Sequence, residues 1–116
     1  MIYLASPYSH PNLAIKEARF LATCCAAADL MRRGELVFSP IAHSHPIATC
    51  GGIPGSWEYW RKFDEVLINA CSELRVLMLP GWSDSVGVAA EVAIAERLGK
   101  PVKYMADTKI ANRRFT

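Results

Sequence analysis

The sequence predicts a single α/β domain built around a doubly wound parallel sheet. Short apolar runs of strand length alternate with longer stretches of helical spacing, which is typical of βαβ units with right-handed crossovers. Glycine or proline ends most of these segments and marks their boundaries. The chain has 116 residues, of which 52% are hydrophobic and 21% are charged. That composition supports one packed core and excludes an intrinsically disordered chain.

The first half of the chain supplies two strands, a long helix and a loop. Ile2–Ala5 is an apolar run closed by serine and proline, as expected of a buried strand. Residues 13–33 predict an amphipathic helix that ends at a glycine, and residues 36–38 predict a second strand. Residues 39–56 contain three prolines and three glycines without any period and predict a long loop. The apolar side of the first helix is expected to carry Leu13, Ala14, Ala18, Leu21, Ala22, Cys25, Ala28 and Met31.

The second half of the chain alternates between helix and strand. Residues 57–71 predict a helix, 74–79 a strand, 86–98 a helix that ends before glycine and proline, and 102–105 a strand. The helix over 57–71 is expected to pack through Trp60, Phe63, Val66, Leu67 and Ala70.

These elements predict a flavodoxin-like, Rossmann-like domain of four to five strands in the order 2-1-3-4(-5). The single domain spans residues 1–116, with a core over about 1–105 and a polar tail over 106–116. Because so short a chain leaves apolar surface on its outer helices, we expect a homodimer or homotetramer.

Charge and cysteine usage exclude several classes of protein. The formal net charge is only +2 and the basic residues are scattered, which disfavours nucleic-acid binding through phosphate contacts. No apolar run approaches the roughly 20 residues of a membrane span, and the first residues lack the basic region of a secretory signal. The four cysteines form no C-x-x-C pair, so reduced thiols and a cytoplasmic location are expected.

One carboxylate falls on the apolar side of the helix predicted over residues 86–98. At about 100° per residue, with Val88 at zero, Glu91 lies near 300° and inside the apolar arc. An ionised carboxylate there costs several kcal/mol unless it is paired or faces a polar cavity. Glu91 is therefore either a structural residue bonded to a tyrosine or a backbone amide, or a functional residue that faces a pocket.

The residues before Glu91 favour the pocket. Gly87 lies one turn earlier on the same face, where the missing side chain leaves room for a ligand. Ser85 is suited to cap the helix, and the free amides after it suit a phosphate. Six residues at a rise of about 1.5 Å give roughly 9 Å, which a sugar 5-phosphate can span. Asp84 puts negative charge beside that site, which leaves free nucleosides open as substrates, and its carboxylate could instead bind sugar hydroxyls.

Ligands of such sheets bind beyond the carboxyl ends of the strands. Ser6 follows the first strand, and His43 and His45 fall in the loop predicted after the second. One residue apart in a loop, both histidines could face one site, where they would recognise a nucleobase or support the loop. No cysteine or carboxylate stands at ligand spacing from them, so no metal site is expected.

Together these segments resemble the nucleoside 2-deoxyribosyltransferase superfamily, and especially its short members that act as nucleoside 5′-monophosphate N-glycosidases. The resemblance covers about residues 1–105, and its most specific element is Ser-Val-Gly-Val-Ala-Ala-Glu at 85–91. The supporting matches are Ile2-Tyr3-Leu4-Ala5, Phe38-Ser39-Pro40-Ile41, Phe63-Asp64 and Pro80-Gly81-Trp82.

The resemblance implies a role for four matched residues. Glu91 matches the nucleophile that attacks the anomeric carbon and forms a glycosyl ester, and Asp64 matches the acid that protonates or holds the departing base. Tyr3 matches the tyrosine that orients the nucleophile, and Ser85 matches a phosphate-binding serine. The implied partner is a small-molecule nucleoside or nucleotide, and no metal or redox cofactor is required.

Two other functions fit the same residues. A phosphoribohydrolase of the cytokinin-activating type also combines a Pro-Gly loop with a glutamate on the following helix, which Pro80-Gly81, Gly87 and Glu91 loosely match. A nucleotide-binding sensor without turnover would use the same pocket. Release of free base separates an enzyme from a sensor.

Overall fold

One parallel sheet lies between helices in the computed structural model, which describes residues 1–54 and 56–107. A 3₁₀ turn, Trp82–Asp84, precedes the helix that begins at Val86. In chain order the strands and helices are β1 (Ile2–Ala5), α1 (Leu13–Arg32), β2 (Val37–Phe38), α2 (Pro40–Gly51), α3 (Trp57–Ala70), β3 (Glu73–Leu77), α4 (Val86–Arg97) and β4 (Val102–Met105).

The sheet confirms the predicted fold class. Its order is β2-β1-β3-β4 and every pair is parallel, so that β1 and β3 occupy the centre. The pairing of β1 with β3 runs from Ile2 opposite Glu73 to Ala5 opposite Val76. The two central strands therefore end side by side, and the segments that leave them meet at one edge of the sheet. Of the predicted polar tail over 106–116, residues 108–116 lie outside the described residues.

Alternate residues of the central strands face two separate hydrophobic clusters. Tyr3 and Ala5 pack with residues of α3 and α4, including Ile68 and Val88, on one face of the sheet. Leu4 packs with residues of α1 on the other face. This two-residue alternation is what a parallel sheet covered on both faces requires. It points the side chain of Tyr3 toward α3 and α4, which carry Asp64 and Glu91.

The prediction of a loop over residues 39–56 is wrong, because most of that segment is helix α2. Ser39 caps the helix, with its hydroxyl oxygen accepting a hydrogen bond from the Ala42 amide at 3.1 Å, and Pro40 follows at the first helical position. Gly52, with a φ of 64°, ends the helix in the left-handed conformation. Pro46 inside the helix and the absence of an apolar period hid these capping signals.

The predicted apolar side of α1 is also largely wrong. Leu13, Leu21 and Met31 are exposed, whereas the buried positions of this helix are Thr23, Ala26, Ala27 and Leu30. Small side chains let the helix approach the sheet closely, and that contact outweighs the larger apolar residues on the other side. Three positions of α3 that were expected in the core are exposed as well, namely Phe63, Val66 and Ala70.

The four cysteines are free thiols, with Cys71 buried and Cys50 exposed. None of the helices in the described ranges combines the length and the apolar content needed to cross a membrane.

Two leucines of α1 test which side of that helix packs on the sheet. Leu30 is 2% exposed and Leu21 is 53% exposed. We expect Leu30→Ala to lower the free energy of unfolding by about 2–5 kcal/mol, because it opens a cavity in the core. The same change at Leu21 is expected to cost less than about 0.5 kcal/mol. Urea titrations of both variants provide the measurement, and a larger loss at Leu21 would contradict the observed orientation.

Candidate active site

A cleft of about 430 Å³ opens at the carboxyl edge of the sheet. Its walls come from the segment after β1, the first turns of α2 and α3, and the chain from Gly81 into α4. Six of the predicted site residues line it, and they are Ser6, Asp64, Asp84, Ser85, Gly87 and Glu91. The topology explains this convergence, because the cleft lies beyond the adjoining ends of the two central strands.

Glu91 is both buried and in contact with the cleft. The residue is 5% exposed, and its Oε2 accepts a hydrogen bond from the hydroxyl of Tyr3 at 2.5 Å. A bond to tyrosine and a place in a pocket were expected as alternatives for Glu91, but the structure has both. An inward-facing carboxyl group that still lines a cleft is accessible to a ligand while most of its surface is shielded from water.

Asp64 of α3 is the second buried carboxyl group, at 8% exposed. It lies close enough to Glu91 and the Tyr3 hydroxyl for the three groups to shift one another's pKa. Burial raises the pKa of Asp64 to about 6. Burial, and then the charge of Asp64, raises the pKa of Glu91 to about 8. Since these values belong to the pair, the two carboxyl groups together retain one proton near neutral pH.

Tyr3 holds the pair from the central strand. It is fully buried, and burial raises the pKa of its phenol well above the usual value, with the charges of Glu91 and Asp64 adding to the rise. The phenol therefore stays protonated and acts as a hydrogen-bond donor. Its contact with Glu91 stabilises the ionised form of that carboxyl group.

The first turn of α4 leaves open space above Glu91. Ser85 caps the helix, and its hydroxyl oxygen accepts a hydrogen bond from the Val88 amide at 3.2 Å. A Cβ built at Gly87 would meet only the Ser85 hydroxyl oxygen, at 3.9 Å. Asp84, at the end of the 3₁₀ turn, lines the same part of the cleft.

The two histidines do not lie together in the cleft, contrary to the expectation that both face one site. Two positions apart on α2, they project in directions about 200° apart. His43 is exposed and packs near the rings of Phe38 and Trp60. His45 does not line the cleft itself, but it hydrogen bonds to Tyr8, which does. In the predicted loop, the directions of the two histidine side chains would not have been fixed by helical geometry.

Sequence analysis missed Arg19, which lines the cleft from α1. Its guanidinium donates hydrogen bonds to the backbone oxygens of Ser9 at 3.0 Å and Pro80 at 3.1 Å. It thereby joins the segment after β1 to the segment after β3. Gly81 takes a φ of 90°, and a Cβ there would lie 2.6 Å from the Arg19 Nη2 atom. A lone arginine within a predicted helix gave no signal of this position.

Tyr8, His10 and Trp57 also line the cleft and were not predicted. Their positions after β1 and at the start of α3 were the only available signal, since ligands gather near the ends of the strands. We call these three rings the aromatic wall of the cleft. Within the described ranges, no three histidine, cysteine, aspartate or glutamate side chains converge as a metal-binding group.

One buried acid that can ionise beside another that keeps a proton is the arrangement needed for acid–base and nucleophilic chemistry. No curated protein sequence is significantly similar to this chain. Residues 1–107 match the model of a protein family described as a domain of unknown function, DUF1937. That match spans the whole sheet and every residue of the site named above. The chain therefore belongs to the DUF1937 family.

Proposed function

We propose that this protein cleaves the N-glycosidic bond of a nucleoside or a nucleoside 5′-monophosphate, through a covalent intermediate on Glu91. The observation that carries the proposal is the pair of buried carboxyl groups, Glu91 and Asp64, that share a proton and open onto a cleft. The resemblance of residues 85–91 to the nucleoside 2-deoxyribosyltransferase superfamily supports the same reaction class. Hydrolysis and transfer to a second base both follow from one intermediate.

Glu91 acts as the nucleophile and Asp64 as the acid. The higher pKa of Glu91 places the shared proton on that residue at rest. In the reactive arrangement the proton has moved to Asp64, and the Tyr3 hydroxyl donates to the ionised Glu91. A Glu91 oxygen bonds to the anomeric carbon while the bond from that carbon to the base nitrogen breaks. The electron pair of the broken bond stays on the base nitrogen, which takes the proton from Asp64.

The ionised Asp64 then acts as a base in the second step. It removes a proton from a water molecule, and the water oxygen bonds to the anomeric carbon as the ester to Glu91 breaks. Glu91 leaves as a carboxylate and the sugar is released, so the pair again holds one proton. A second nucleobase in place of water would give transfer instead of hydrolysis.

The far end of the cleft suits the 5′ end of the sugar. Ser85 and the amides at the start of α4 lie there, and the cationic side chain of Arg19 lines the same cleft. Asp84 opposes a phosphate by its charge and is suited to accept hydrogen bonds from hydroxyl groups. Both free nucleosides and 5′-monophosphates therefore belong in the substrate panel.

Base release tests the proposed reaction. We expect the purified protein to release free base from at least one member of a panel of ribo- and deoxyribonucleosides and their 5′-monophosphates, measured by chromatography. Glu91→Gln removes the nucleophile and is expected to lower the rate by about 10³-fold or more. Glu96→Gln, the same change at an exposed position of α4, is the control and should leave the rate unchanged.

The outcomes of this assay separate the candidate functions. No base from any member of the panel, or full activity in Glu91→Gln, would contradict the proposal. A nucleotide that raises the melting temperature without any release of base would instead identify a sensor.

The pH dependence follows from the shared proton. Below about pH 6 both carboxyl groups are protonated and the nucleophile is lost, whereas above about pH 8 both are ionised and the acid is lost. We therefore expect kcat/KM to peak between these limits and to fall on both sides. Asp64→Asn should remove the alkaline arm, because no dissociable proton remains at that position. An activity that rises steadily up to pH 9.5 would contradict the shared-proton arrangement.

Gly87→Ala tests whether the open space above Glu91 is occupied by substrate. The added methyl group meets no close neighbour, so the variant is expected to fold with an unchanged or higher melting temperature. It should raise KM by about tenfold or more, because the methyl group takes up space in the cleft. Gly51→Ala, in the last turn of α2 and outside the cleft, is the matched control. Equal KM values for the two variants would show that substrate does not reach this position.

A further inference from the structure

A chain of hydrogen bonds ends at the aromatic wall of the cleft. The Tyr8 hydroxyl lies 2.5 Å from His45 Nδ1, and His45 Nε2 lies 2.8 Å from a carboxylate oxygen of Glu17. The three residues come from the segment after β1, from α2 and from α1. Of the three, only Tyr8 lines the cleft, so the network joins two surrounding helices to one wall of the site.

The packing around His45 fixes its ring. Phe20 stacks on the imidazole with the ring centroids 4.2 Å apart, and the Tyr8 ring meets its edge at 5.5 Å. The His45 side chain is only 13% exposed, although Glu17 at the outer end of the network is half-exposed. On the other side, the Lys16 ammonium lies 5.0 Å from the centre of the Tyr8 ring. Tyr8 is thus held by its ring as well as by its hydroxyl.

The order of partners sets the direction of the hydrogen bonds. A carboxylate has no hydrogen to donate, so His45 Nε2 must carry the hydrogen that bonds to Glu17. In the neutral imidazole, Nδ1 is then an acceptor, and the Tyr8 hydroxyl donates to it. The Tyr8 oxygen is left with lone pairs alone for any further partner.

The network is suited to orient Tyr8 rather than to activate it. Burial, and then the charge of Glu17, raises the pKa of the Tyr8 phenol, so the hydroxyl keeps its proton at neutral pH. A nucleophilic phenolate would need the opposite shift. The network therefore holds the Tyr8 hydroxyl oxygen, a hydrogen-bond acceptor, in a fixed position.

We propose that Tyr8 is a specificity-determining residue that accepts a hydrogen bond from the substrate, and that His45 and Glu17 are positioning residues that act through it. This inference rests on the proposed function. The group that Tyr8 selects is a hydrogen-bond donor, either a hydroxyl of the sugar or an amino group of the base. An analogue with a carbonyl oxygen or no polar atom at that point would leave the acceptor unpaired and bind less well.

Two substrate pairs distinguish the sources of the donor. Both pairs share adenosine 5′-monophosphate. In the first pair its partner is inosine 5′-monophosphate, which has a carbonyl in place of the amino group of the base. In the second pair its partner is 2′-deoxyadenosine 5′-monophosphate, which lacks one hydroxyl of the sugar. In one of the two pairs, we expect kcat/KM at pH 7.5 to be about tenfold higher for the member that carries the hydrogen-bond donor. Tyr8→Phe should abolish that preference, mainly through KM for the preferred member.

Three further variants separate the role of the network from a general effect on folding. Tyr59→Phe, the same change at an exposed tyrosine outside the cleft, should keep the preference. His45→Leu breaks the network and should lose it. His45→Gln can accept from Tyr8 and donate to Glu17 and should restore it.

The possible outcomes distinguish a failure of the role proposed for Tyr8 from a failure of the proposed function. A protein that releases base but shows no preference within either pair, or whose preference survives Tyr8→Phe, overturns the role of Tyr8 alone. Loss of preference in Tyr8→Phe and His45→Leu, with recovery in His45→Gln, supports it. The absence of base release from every substrate overturns the proposed function and this inference with it.

Discussion

Two carboxyl groups and a phenol meet where α3, α4 and the central strand β1 pack against one another. The site depends on the protonation state of these two carboxyl groups. Glu91 and Asp64 cannot both ionise in so dry a place without a large cost in free energy, so the pair keeps a proton that exposed carboxyl groups would lose. Tyr3 favours an ionised Glu91 without adding a charge of its own. Because the proton is shared within the pair, one buried cluster presents an ionised and a protonated carboxyl group side by side.

The topology and the Glu91 segment were predictable because each depends on a local period. Strand-length apolar runs and helix-length stretches alternate along the chain, and a parallel sheet with β1 and β3 adjacent follows from that order. Glu91 was recognised because a helix of 3.6 residues per turn places it among apolar residues, with Gly87 one turn away. Asp64 and Tyr3 give no comparable signal on their own, and the resemblance to a known superfamily singled them out.

The rest of the site depends on contacts that no local period reveals. Helix α2 begins with Ser39-Pro40 and ends at Gly52, yet Pro46 and an irregular mix of polar and apolar residues made the segment resemble a loop. The same error led to the expectation that His43 and His45 face one site, because a loop does not turn residues two positions apart in different directions as a helix does. Helix α1 packs on the sheet through small residues, so the size of its apolar side chains pointed to the wrong face. Arg19, on the same helix, was missed because a lone arginine within a helix does not reveal its contacts.

The contact between Arg19 and Gly81 has a consequence for how such a chain can diverge. The guanidinium occupies the space where any side chain at position 81 would begin, and the backbone there is already in a conformation that glycine favours. A side chain at position 81 would displace the flexible end of the arginine and break its hydrogen bonds to the backbone oxygens of Ser9 and Pro80. A shorter residue at 19 would remove the steric contact but not the backbone strain, so the glycine is constrained more tightly than its distant partner.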